Sequence, residues 1–163
     1  MTGAIDVILD EHRSIGAILK ALQNQVAACR DDAVRPDWHL FAAMLDYLQA
    51  FPEVRHHPKE EQFLFHALRE RWPQAAPLLD RLHAEHEQGA ADLAALKGAA
   101  AAGKDGHGDL PAFAVAIDAY AQTQWQHMRT EEQEVLPLAR ERLARQDWQA
   151  IDAAFEANLA PRW

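Results

Sequence analysis

With 163 residues, 49% of them hydrophobic, the chain is expected to form one domain, residues 1–163, with a real core. A net charge of −9 repels phosphate backbones and anionic lipids, which argues against nucleic-acid and membrane partners. Cys29 is the only cysteine, so a single chain can form neither a disulfide nor a cysteine-based zinc site.

Alanine is abundant and β-branched residues never cluster, which favours an all-α fold. Ile5, Ile8, Leu9, His12, Ile15, Leu19, Leu22 and Val26 recur at helical steps and predict a first helix from about Ile5 to Arg30. Cys29 ends that pattern and reads as a small core hydrophobe. Asp6, Asp10, Glu11 and His12 break any signal-peptide core, so the expected address is the cytoplasm. No stretch reaches the roughly 18 apolar residues that a membrane span needs.

A polar break follows, with Pro36 set to open the next helix. The second helix is predicted over about Asp37 to Trp72, with Phe41, Leu45, Leu48, Pro52, His56, Glu60 and Leu64 on one stripe. Pro52 and Pro58 each remove a backbone donor and predict a kink or interruption there. The third helix starts near Pro73–Pro77 and runs to about Ala102, with Leu78, Leu79, Leu82, His86, Leu93 and Leu96 inward. Gly103 to Asp109 is the clearest loop, and His107 within it reads as solvated. The fourth helix spans about Leu110 to Arg145, with Phe113, Ile117, Tyr120, Gln124, His127, Glu131, Val135 and Leu138 inward and a bend at Pro137. Asp147 reads as the N-cap of a short fifth helix, Trp148 to Leu159. The whole predicts an antiparallel up-down-up-down four-helix bundle over about residues 5–145, with a short C-terminal helix over about 147–159. Trp38, Trp148 and Trp163 either close the ends of that bundle or cover an apolar patch, such as a homodimer interface.

The chain contains a weak internal duplication. Glu11-His12 is followed by His56-x3-Glu60-Glu61-Gln62, and Glu85-His86 by His127-x3-Glu131-Glu132-Gln133. Residues i and i+4 stack on one helix face, so His56 with Glu60, and His127 with Glu131, each hand an imidazole and a carboxylate to one point. Counted from the connecting turns, His12 matches His56 in height and His86 matches His127 to within roughly 2 Å, at about 1.5 Å of rise per residue. Four imidazoles and two carboxylates therefore converge at one level of an antiparallel bundle. Burying them without compensation costs many kcal/mol. Two metal ions bridged by Glu60 and Glu131 resolve the conflict, and mixed nitrogen and oxygen donors suit iron, manganese or zinc. Such ligands must be deprotonated, so affinity is expected to fall in acid. The register leaves an alternative in which His57 and Glu61 face inward instead. His83 is open to two readings, ligand or outer partner, and His39 reads as surface.

These residues resemble the hemerythrin-like, HHE cation-binding domain family. His56-His57-Pro58-Lys59-Glu60-Glu61 is similar to its second-helix motif and His127-Met128-Arg129-Thr130-Glu131-Glu132 to its fourth-helix motif. Glu11-His12 and Glu85-His86 match its first- and third-helix positions. The resemblance implies a di-iron centre, oxo- or hydroxo-bridged, with an open position for dioxygen or a related small ligand. It implies His12, His56, Glu60, His86, His127 and Glu131 as ligands, and His57 as a further one. Invertebrate oxygen carriers place two histidines four apart on the third helix, whereas His83 and His86 are three apart.

Three functions follow as expectations. The first is a binding module for dioxygen, nitric oxide or iron, used in sensing, storage or iron handling. The second is a di-iron enzyme acting on peroxide, nitric oxide or dioxygen, with Glu61, Glu132, Tyr120 and His57 as relay candidates. The third is a metal-free helical interaction protein.

Overall fold

The computed structural model describes residues 3–159, and all regular structure within them is helical. Helix α1 is Ala4–Asp31. Helix α2 continues from residue 38 to 71 through alternating segments. It is α-helical at Trp38–Leu48, π-helical at Gln49–His56, α-helical at His57–Lys59, π-helical at Glu60–Phe65 and α-helical at His66–Arg71. A 3-10 turn, Pro73–Ala75, leads into α3, Ala76–Lys104. Helix α4 comprises Leu110–Thr130, a π segment Glu131–Val135, and Leu136–Arg142. Helix α5 is Arg145–Leu159. Asp37 and Asp109 cap α2 and α4 by accepting from the Leu40 and Ala112 amides, each at 3.0 Å.

At the prolines, where a kink or interruption is expected, the regular α-helix gives way to π segments without a break in the helix. Pro52 lies inside a π segment and Pro58 in the short α turn between the two π segments. A proline ring collides with the carbonyl four residues back, and the wider π turn moves that carbonyl aside. Pro137 opens the last segment of α4 directly after a π turn, where its missing amide is harmless. Asp147 is the third residue of α5 rather than its N-cap. Its carboxylate reaches back to the Ala144 amide at 2.8 Å, the reciprocal half of a capping box, and accepts from Arg71 at 2.7 Å.

The apolar stripes form two cores. The first holds Ile15, Leu19, Leu22, Cys29, Phe41, Leu45, Leu93, Phe113 and Ile117. The second holds Ile8, Leu64, Leu68, Leu79, Leu82, Val135, Leu136, Ile151 and Phe155. Every long helix passes from one core to the other through a short buried polar stretch. On α1 that stretch is Glu11-His12, between Ile8 and Ile15; on α3 it includes His86, between Leu82 and Leu93. Helix α1 packs on α4, α2 on α3, α3 on α4, and α5 on α1, giving a helical bundle with a polar layer between two apolar ones. Among the described residues, no helix is long and apolar enough to cross a membrane.

Tryptophans close the bundle ends. Trp38 packs edge-on against Phe41 and Phe113, at 5.7 and 5.2 Å between ring centroids. Trp72 lies under the Arg142 guanidinium at 3.5 Å, and Trp148 packs on the second core. Trp163 lies outside the described residues. The indole of Trp38 rests directly on Gly103, where a Cβ would collide with its ring carbons. Gly103→Ala is therefore expected to destabilise the protein by about 1–3 kcal/mol, read as a lower urea midpoint. An unchanged midpoint would mean that the ring moves aside freely.

Candidate metal centre

The polar layer gathers His12 from α1, His56, His57 and Glu60 from α2, His86 from α3, and His127 and Glu131 from α4, all buried. The Nε2 atoms of His12 and His56 lie 3.1 Å apart, and those of His86 and His127 2.8 Å apart. The two carboxylates sit between these pairs. Glu60 presents Oε1 to His56 at 3.0 Å and to His12 at 3.7 Å, and Oε2 to His86 at 3.4 Å. Glu131 presents Oε2 to His12 at 3.2 Å, and Oε1 to His127 at 2.9 Å and His86 at 3.6 Å. Each carboxylate thus offers one oxygen to each histidine pair.

A second set of carboxylates stands behind the imidazoles and links the four helices in a ring. The Nδ1–H of His56 on α2 donates to Glu11 of α1 at 2.5 Å, and that of His86 on α3 to Glu61 of α2 at 2.7 Å. The Nδ1–H of His127 on α4 donates to Glu85 of α3 at 2.7 Å, and that of His12 on α1 to Glu132 of α4 at 2.9 Å. Each bond places the imidazole proton on Nδ1 and turns the Nε2 lone pair inward, the arrangement typical of metal-ligating histidine. His57 lacks such a bond: its Nδ1 lies 3.4 Å from Glu53 Oε1, and neither atom has a hydrogen-bond partner among the described residues. Its ring stacks on His86 at 4.2 Å.

Facing lone pairs repel, and all four oxygens of Glu60 and Glu131 lack a hydrogen-bond partner. Buried orphans of this kind are costly, and a positive ion satisfies both sets at once. Two overlapping groups of donors lie within 4.8 Å: His12, His56, Glu60 and Glu131, and His57, Glu60, His86 and His127. The donors present are therefore of the kind and arrangement that hold metal cations.

Protonation follows the same electrostatics. Burial pulls His56 down, but the Glu60 charge and the Glu11 bond raise it to about 9. Burial likewise opposes His86, which Glu131, Glu60 and Glu61 push up to about 12. Burial raises Glu60 and Glu131, yet the surrounding imidazoles hold both below the usual carboxylate range. His57, with the weakest carboxylate partner, is lowered by burial. Protons thus take the place of cations in the metal-free chain.

All seven residues singled out in the sequence meet here. The register alternatives on α2 are partly both realised: His56 and His57 point inward, whereas Glu61 lies outside with its bond to His86. His83 is half exposed and touches Glu61 at 3.2 Å, so it is an outer partner. His39 and His107 are exposed. Two features escaped sequence reasoning. Glu11 and Glu85 were visible beside His12 and His86, but each serves the histidine of the following helix. Asn158 of α5 reaches the centre from far along the chain, and no spacing signals it.

A cleft of about 190 Å³ between α3 and α4 reaches His127 and is lined also by Glu85, Gly89 and Gln124. Gly89 leaves room there, since a Cβ would meet the Gln124 amide nitrogen at 2.8 Å.

Neither a curated protein nor a solved structure matches the chain. The family model described as the hemerythrin HHE cation binding domain matches residues 3–139. With that match over nearly the whole chain and a buried histidine–carboxylate cluster able to hold cations, the chain belongs to the hemerythrin HHE cation-binding domain family.

Proposed function

We propose that the protein holds two iron ions and binds dioxygen or nitric oxide at them, for sensing, storage or iron handling. The observation that carries this reading is the split of Glu60 and Glu131, each with one oxygen toward His12 and His56 and one toward His86 and His127. His12 and His56 would hold one ion; His57, His86 and His127 would hold the other; the two carboxylates would bridge them. In the duplication His57 corresponds to Met128 and Glu53 to Gln124, so one ion gains an extra nitrogen donor and the other keeps more free positions. Nitrogen and oxygen donors together suit iron, and the family likeness favours it over manganese or zinc. An iron pair when bound supplies reversible electron transfer and a free position for a small ligand. The chain's own residues hold the imidazoles in one tautomer, exclude bulk water with two apolar cores, and leave the α3–α4 cleft as a route for a small molecule.

The four long helices are read as running up, down, up, down, with α5 laid on α1 and the whole chain as one cytoplasmic domain. An enzyme would need a free proton relay near the site. Glu61 and Glu132 are instead engaged with His86 and His12, which favours binding over turnover.

Elemental analysis and an absorption spectrum of aerobically purified protein test the proposal. Two irons per chain are expected, with near-ultraviolet bands of a bridged pair, and both should be lost in His56→Ala with His127→Ala. A stable stoichiometric adduct with nitric oxide is expected. No metal or one ion per chain would refute the two-ion centre, and sustained consumption of peroxide or nitric oxide would move the assignment to an enzyme.

A further inference from the structure

We infer that α5 is a working part of the metal centre, with Asn158 as a positioning residue that fixes the ligand His56 through Glu11; this rests on the two-ion reading above. The Asn158 side chain is buried, and its Nδ2 donates to Glu11 Oε1 at 2.7 Å. The other oxygen of Glu11 accepts from His56 Nδ1 at 2.5 Å. Asn158 Oδ1 accepts from the Lys59 ammonium, and the Asn158 carbonyl accepts from Arg55 at 3.0 Å. One turn earlier on α5, Phe155 meets the His56 ring edge-on at 6.2 Å between centroids. A single stretch of α5 therefore grips the segment of α2 that carries His56.

The four carboxylates of the ring differ in a way that α5 explains. The Glu11 side chain is 7% exposed, against 26% for Glu61 and 41% for Glu85 and Glu132. Those three can take their remaining hydrogen bonds from water. Glu11 cannot, so its second oxygen depends on Asn158. A buried carboxylate with one oxygen orphaned pays the desolvation penalty of that oxygen and loses its fixed orientation. His56 then loses the partner that sets its tautomer. Coupling of this kind is reciprocal: if α5 strengthens metal binding, bound metal must strengthen the docking of α5. The metal state at His12 and His56 is thereby readable on the outer face of α5.

The test uses the full chain loaded with iron. Asn158→Asp keeps size and the acceptor for Lys59 but cannot donate to Glu11; Asn158→Ala removes both. In each, one of the two ions is expected to leave to a chelator about 10- to 100-fold faster than in wild type, with the other unchanged. A purely structural effect of losing the α5 packing would not single out one ion. In wild type, without any variant, amide exchange over residues 151–159 is expected to quicken when the metal is removed. Wild-type retention of both ions in both variants, with α5 exchange indifferent to metal, overturns the coupling and leaves the two-ion reading intact. Failure of the wild type itself to load two ions overturns both.

Discussion

Stripping the two ions proposed for the polar layer is expected to lower the denaturation midpoint more than any single substitution outside that layer. A ligand that binds only the folded state stabilises it by about 4 kcal/mol when its free concentration is 1,000 times its dissociation constant. For a chain of this size that corresponds to a shift on the order of 10 °C. The gap must depend on pH, with a sign that the histidines set. Bound metal needs bare Nε2 atoms, so protons compete and the gap shrinks as pH falls. The metal-free chain behaves oppositely. His56 and His86 are raised, to about 9 and about 12, so their contribution to its stability is complete below the unfolded histidine value and lost as pH rises, through about 9 for His56 and about 12 for His86. Glu60 and Glu131 are lowered, so their contribution is present above the ordinary carboxylate range and lost as pH falls. The advantage of the loaded form is thus expected to widen from about pH 6 to about pH 9, while the metal-free form is most stable between the ordinary carboxylate and histidine values and weakens as pH rises above them. Paired thermal melts of loaded and stripped protein across that range measure it. A gap that stays constant, or no gap, would mean that the histidine layer is not where the ions sit.

The duplication made the inner layer readable. His12, His56, His86 and His127 could be levelled against one another because helix rise is fixed, and Glu60 and Glu131 followed from i, i+4 stacking. Helix existence was equally legible, since the apolar period is local, but the one cap read from the sequence, Asp147, lies two residues inside α5. What local reasoning could not supply was the behaviour of backbone around Pro52 and Pro58. A proline predicts a fault, but whether the fault becomes a break or a π turn depends on the packing on either side of it. The same limit applies to the inward aim of both His56 and His57, which a regular α-helix separates by about 100°. The outer ring was hidden for another reason. Glu11 serves His56 and Glu132 serves His12 across helix boundaries, so the pairing is a property of neighbours rather than of spacing. Asn158 is the extreme case, 147 residues from its partner Glu11.

Glu60→Gln with Glu131→Gln is expected to have opposite effects on the loaded and metal-free forms. The change keeps shape but removes both negative charges that lie between the histidine pairs, so the double variant should bind no more than a trace of metal. The stabilisation of about 4 kcal/mol available to loaded wild type should vanish with it. The metal-free form faces a different balance. In wild type the Glu60 and Glu131 carboxylates are buried and, without metal, take their charge compensation from the imidazoles beside them. Removing one partner of a buried ion pair costs about 3–5 kcal/mol when the other stays charged. Here the imidazoles can shed their protons, which burial already favours, and a glutamine amide can donate to the bared Nε2 atoms. No uncompensated charge remains, so the stripped double variant is expected to be at least as stable as stripped wild type. Urea titrations of all four species decide the matter. Should the variant lose stability by several kcal/mol when metal-free, and wild type gain none from metal, Glu60 and Glu131 would be partners of imidazolium in a structural network and not the bridge between two cations.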